Sequence, residues 1–142
     1  MTAEEVVREG IDAYNSGDRA RYEAVFVKDA VAKEAATGRE IHGASAIGEM
    51  IFGWKTAFPD MVGETVNLFA CGDQVTAEMI WRGTHTGPLV TPDGQTIPPT
   101  NRTLDNPGCL VFTLRDGKVV EQRHYFDLAT LMRQLGLMPN GG

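Results

Sequence analysis

Glu121, Arg123, His124, Tyr125 and Asp127 bring carboxylate, guanidinium, imidazole and phenol groups into seven consecutive positions. Groups of these types can move a proton to or from carbon and hold the oxygen on which charge develops. Asp127, between Phe126 and Leu128, suits a general base where its surroundings exclude water, because burial raises a carboxyl pKa. It also stands directly before a helically spaced apolar run, so it equally fits the N-cap of a last helix. The two uses compete for the same oxygens, since backbone N–H donors lower a carboxylate pKa. Alternation along an extended chain splits the cluster: Arg123, Tyr125 and Asp127 share one face, and Gln122, His124 and Phe126 the other. An inward Arg123 would keep Asp127 ionised and hold a carbonyl or enolate oxygen. A surface ion pair for Arg123 and an exposed position for His124 are the alternatives.

His85, in "GTHTG", shares a parity with Ala77, Met79 and Trp81, the more apolar side of its strand. There it can orient a carbonyl or shuttle a proton, or simply pack with its hydrogen bonds satisfied. Tyr14 shares the inner side of a first helix with Ile11 and can donate to an oxyanion, or serve as a core tyrosine. Trp54, Phe58 and Trp81 fit the wall of a pocket for an apolar substrate, or plain core. His42 reads as a loop histidine. The three histidines stand far apart and no metal-ligand spacing links them, so no metal is expected. The nucleophile-elbow, dinucleotide and phosphate-loop motifs are missing from the sequence, and no cofactor is expected.

The elements that must position these residues follow from periodicity. Thr2 and Glu5 form a capping box before a helix over 3–15. Asp18 caps a second helix over 19–26, and residues 30–43 alternate weakly around a Thr-Gly turn as an irregular strand pair. A third helix spans 44–58, ended by Pro59. The period then becomes two, with strands at 61–70, 74–87, 102–115 and 119–126 and a hairpin turn at "RDGK". Pro107-Gly108 suggests a bulge in the third of these. Residues 87–101, rich in proline and glycine, form a loop that can cover a pocket. A last helix spans 128–136, stopped by Gly136. This order gives one α+β domain over 1–142, with N-terminal helices packed on the concave face of a curved antiparallel sheet that encloses a cone-shaped pocket.

The chain has 142 residues and a formal net charge of −6. Its basic residues are scattered, so neither nucleic acid nor a membrane surface is an expected partner. No signal peptide is legible at "MTAEEVVREG", and a cytoplasmic protein is expected. Cys71 and Cys109 read as reduced, packed thiols.

Five motifs occur in a fixed order: W-K-x-A-F-P-D at 54–60, G-D-x-V at 72–75, W-x-G-T-H-x-G at 81–87, D-G-K-V-x-E at 116–121 and Y-F-D-x-x-x-L-x-x-Q-L-G at 125–136. Together they resemble the SnoaL-like polyketide cyclases and ester cyclases of the nuclear transport factor 2-like (cystatin-like) superfamily. The resemblance implies ring closure by intramolecular aldol condensation without metal or cofactor, with an aspartate before the final helix as general acid/base. That position is Asp127 here. Where many relatives carry tryptophan two residues after the Glu of G-K-x-x-E, this chain has Arg123. In ketosteroid isomerases of the same superfamily a tyrosine of the first helix donates to the oxyanion, which points to Tyr14.

The expectation is a cofactor-free enzyme moving a proton alpha to a carbonyl of an apolar small molecule. Asp127 and His85 would be catalytic, and Arg123, Tyr14, Trp54, Phe58, Trp81, Tyr125 and His124 would line the substrate site. The alternatives are a non-catalytic module binding a small molecule or a protein, and epoxide-hydrolase-like water addition using Asp127, Arg123 and either Glu121 or Asp105. An apolar outer face at Leu110, Phe112 and Leu114, together with the sheet pairing implied by the resemblance, predicts a homodimer.

Overall fold

The structure is a computed structural model and describes residues 1–138. Helix α1 (Ala3–Ser16) opens on the expected capping box of Thr2 and Glu5 and closes at Gly17, whose φ of 77° is the left-handed conformation a helix end favours. Helix α2 (Arg19–Ala24) is capped by Asp18 and stops two residues short of the expectation, because Phe26 already begins strand β1 (Phe26–Glu34). After β2 (Arg39–His42), helix α3 (Ala44–Ala57) leads into β3 (Val62–Cys71) and β4 (Gln74–Thr84). The proline-rich segment holds two short paired strands, β5 (Leu89–Val90) and β6 (Thr96–Ile97). Strands β7 (Thr103–Arg115) and β8 (Lys118–Phe126) and helix α4 (Leu128–Gln134) complete the chain.

The main sheet has six strands in the order β2-β1-β8-β7-β4-β3. It is mixed rather than antiparallel throughout, because β1 runs parallel to β8. The helical segment between β2 and β3 carries the chain across the sheet, so β1 and β3 end up at opposite sides of the β8-β7-β4 hairpins. The β7-β8 turn at Asp116 and Gly117 has φ of 52° and 78°, the backbone a tight hairpin needs. Pro107 and Gly108 form no bulge. They keep register with Ile80 and Met79, and the irregularities lie at Phe26/Val31, Thr65/Asn67 and Thr113/Leu114 instead. Pro107 falls just outside the β8 pairing, which starts at Gly108, so no β8 partner meets its missing N–H.

The core lies between the sheet and the helices: Val6, Val7 and Ile11 of α1 and Ile47 of α3 meet Ala77, Met79, Leu110, Phe112 and Leu114. The expected outer apolar row at Leu110, Phe112 and Leu114 therefore faces inward, and Val111 and Thr113 take the other side. "CLVFTL" is apolar at both parities, so its pattern could not choose a face.

Candidate active site

Four of the expected site residues meet in one cavity: Tyr14, Trp54, Trp81 and His124 line it, with Ile51, Met61, Leu104, Asn106, Phe126 and Leu131. A second chamber adjoins it, sharing Tyr14, Ile51, Trp81 and His124 as a partition. Each chamber offers about 40 Å³ to the centres of water molecules, room for a few waters at roughly 10–15 Å³ each.

Tyr14 is fixed from below. Its neighbour Asn15 donates to the Gly63 carbonyl at 2.9 Å and accepts from the Gly63 N–H at 2.8 Å, tying the end of α1 to β3. The ring packs edge-on against Trp81 and Phe52, at 5.8 and 5.3 Å between centroids, and Lys55 Nζ lies 4.5 Å from its centre. Tyr14 is buried, yet its hydroxyl has no hydrogen-bond partner among the described residues, whereas Tyr22 donates to Gln122 at 3.3 Å. Burial pushes the Tyr14 hydroxyl well above the ordinary phenol range. It therefore stays protonated and remains a donor.

Trp81 lies between two glycines. A Cβ at Gly63 would come within 2.5 Å of its ring, and one at Gly108 within 2.8 Å of its Nε1 and 3.0 Å of His124 Nε2. The bare backbone at Gly108 lets Trp81 Nε1–H reach across β7 and donate to His124 Nε2 at 3.1 Å. Indole N–H can only donate, so Nε2 carries the lone pair and the neutral ring holds its proton on Nδ1. His124 is 8% exposed, and burial pushes its imidazole down to about 4, with the charge of Glu34 opposing. The ring is neutral at physiological pH. Among the described residues its Nδ1 has no partner, and neither has Oδ1 of the buried Asn106, whose Nδ2 donates to the Asp127 carbonyl at 3.3 Å.

The structure places the remaining expected residues outside this cavity. Gln122, His124 and Phe126 form the inner face of β8, and Arg123, Tyr125 and Asp127 the outer one. Arg123 pairs with Glu121 at 3.3 Å, and Tyr125 is exposed. Asp127 is exposed and caps α4, accepting from the Thr130 N–H at 3.2 Å and the Thr130 hydroxyl at 2.9 Å. These bonds hold its carboxyl below the usual range and commit both oxygens to α4, outside the cavity. His85 is fully buried beyond the end of β4, stacked on Phe58 at 5.2 Å. Its Nδ1 accepts from the Thr100 N–H at 3.2 Å and lies 3.0 Å from the Thr100 hydroxyl. His85 thus ties the return of the proline-rich segment to the end of α3. The groups that water addition would need do not converge either: Asp105 pairs with Arg82, Arg123 with Glu121, and Asp127 caps a helix.

The model of the SnoaL-like polyketide cyclases matches residues 4–135. The chain belongs to the SnoaL-like polyketide cyclase family. No curated protein matches it. Its fold is shared with solved structures of low identity. A candidate SnoaL-like polyketide cyclase of Jannaschia sp. CCS1 is 22% identical with a TM-score of 0.84, over 96% of this chain and 93% of that one. IdmH, a candidate polyketide cyclase of Streptomyces antibioticus, is 24% identical with a TM-score of 0.80, over 96% and 99%. A Catenulispora acidiphila protein of ketosteroid isomerase-like fold, solved with trimethylamine, is 18% identical with a TM-score of 0.79, over 96% of each chain. The SnoaL-like family thus supplies the cyclase class, and the cavity of this chain supplies the residues available for it.

Asn106 and Phe126, like Met61, Leu104 and Leu131, are cavity residues that the sequence does not single out. Phe126 shares parity with His124, which was the available signal. Asn106 sits beside Pro107 in a stretch whose register only the pairing with β4 fixes.

Proposed function

We propose that this protein is a cofactor-independent enzyme that moves a proton alpha to a carbonyl of an apolar small molecule, in an intramolecular aldol cyclisation or a related isomerisation. The observation that carries this reading is the meeting, in one apolar cavity, of the unpartnered Tyr14 hydroxyl with a neutral His124. Tyr14 Oη–H donates to the carbonyl oxygen and strengthens that bond as the oxygen becomes an enolate, where a low dielectric favours a preorganised donor. His124 is the base: its Nε2 lone pair, held by Trp81 before substrate enters, takes the proton from the alpha carbon. The imidazolium then returns this proton to the alkoxide of an aldol product, or to another carbon in an isomerisation. Trp54, Trp81 and Phe126 provide flat apolar walls for the substrate. Asp127 keeps α4, and with it Leu131, in place at the cavity.

A second reading, a binding module without turnover, is favoured by one observation: among the described residues no carboxylate lines the cavity. Exchange of the alpha protons of 2-tetralone for deuterium, followed by NMR, separates the two. Enzyme-dependent exchange is expected. It should fall about 10²–10⁴-fold in His124→Gln, the range for loss of an acid–base group, and persist in Asp127→Asn. Exchange that survives His124→Gln and disappears in Asp127→Asn would return the base role to Asp127. No exchange at all, with binding retained, supports the module.

A further inference from the structure

A buried carboxylate beside His124 has one oxygen to spare. Glu34, the last residue of β1, is the direct partner of His124 across the parallel β1-β8 pairing, and its side chain is only 1% exposed. Its Oε1 accepts from the Thr37 hydroxyl at 2.7 Å and from Arg39 at 2.9 Å, so the ion pair and the turn are served by one oxygen. Oε2 is buried and has no partner among the described residues. Nδ1 of His124 is in the same condition. The two nitrogens of an imidazole point away from each other. Nε2 is turned to Trp81 across β7, and Glu34 stands on β1, the strand on the opposite side of His124. Two directly paired residues thus each carry a buried polar atom, one a donor and one a carboxylate acceptor, with no partner among the described residues, a need that a small closing movement or a bridging water between them would meet.

We propose that Glu34 is the positioning carboxylate of His124, receiving Nδ1–H as Nε2 takes up a proton. This deepens the reading above and rests on it for its catalytic meaning. A polar line then crosses the inner face of the sheet: Arg39 on β2, Glu34 on β1, His124 on β8 and Trp81 on β4. When the substrate proton arrives at Nε2, the imidazolium charge lies beside an ionised carboxylate. No proton moves to Glu34; it orients the ring and stabilises its charged form, as the acidic member of a carboxylate–imidazole pair does. The other ionisable groups around the ring are Tyr14 from α1, Tyr22 from α2, which lines the second chamber with His124, and, over the Tyr14 ring, Lys55 from α3. β4 and β7 present Trp81, Gly108 and Leu110, which do not titrate.

The test is ¹⁵N NMR of the His124 ring in the full chain through a pH titration. In the wild type the neutral ring is expected as the Nδ1–H tautomer. In Glu34→Gln its pKa should drop by about one unit or more, from loss of the neighbouring charge, and Glu34→Asp should restore part of it. Arg39→Gln breaks the same ion pair but keeps the carboxylate, so it should leave the pKa unchanged or raise it. Equal His124 titrations in the wild type and Glu34→Gln would overturn the proposal and leave Glu34 as the anchor of Arg39. Should Glu34→Gln fail to fold, an Nε2–H tautomer in the wild type would overturn it alone. These readouts need no turnover. A Glu34-dependent titration in a protein that exchanges no alpha protons would reject the enzymatic reading and keep the pair.

Discussion

Between pH 6.5 and pH 4 the protein is expected to lose on the order of 3 kcal/mol of stability through His124 alone. The unfolded ring has an ordinary value of 6.5, and the folded one is pushed down to about 4 by burial. In this window the unfolded chain binds a proton that the folded chain refuses, so stability rises with pH across it. The contribution is fully present above pH 6.5, declines as the pH falls, and is exhausted below the folded value. The magnitude follows from about 1.4 kcal/mol for each pH unit separating the two values. Urea unfolding at a series of pH values measures it. In His124→Phe, which fills the same space without titrating, this portion of the acid slope should vanish while other groups keep theirs. A wild-type protein as stable at pH 4.5 as at pH 7 would mean that the ring is charged and solvated in the fold.

The second large effect is on activity without stability. Tyr14→Phe should lower alpha-proton exchange by about 10²–10³-fold, the usual cost of removing one oxyanion donor. The fold should hardly notice. Among the described residues the Tyr14 hydroxyl has no hydrogen-bond partner to strand, so its deletion breaks no bond, and stability should stay level or rise slightly. The aromatic contacts with Trp81, Phe52 and Tyr22 involve the ring and remain. Because burial keeps the hydroxyl protonated, Tyr14 adds no limb of its own to the pH profile near neutrality. A Tyr14→Phe protein with unchanged exchange but reduced stability would make Tyr14 a core residue only.

The residues show why the sequence reveals the fold better than the site. Helix α1, its capping box and the Asp116–Gly117 turn depend on neighbours within a few positions, and they are legible. So is the division of β8 into two faces, because alternation is local. Which face looks inward is not. Both faces carry a polar and an aromatic group, and the choice is made by Trp81 reaching over Gly108 and by β1 docking in parallel beside β8. These contacts join residues about 40 and 90 positions apart. Asp127 shows the limit differently: base and cap demand the same residue before the same helix, and only the bonds from Thr130 distinguish them. Glu34 lay in a weakly alternating stretch. Its parity with Ala30 and Ala32, both buried, was the available clue.

The most direct measurement of the central claim, that Tyr14 and His124 form the working polar centre of the cavity, is a crystal structure with 2-naphthol, a flat mimic of an enol. The expected result places the naphthol oxygen within hydrogen-bond distance of Tyr14 Oη, with the ring between Trp54 and Phe126 and an edge toward His124. Naphthol bound elsewhere, or seated with its oxygen toward a released Asp127 carboxylate, would contradict the account.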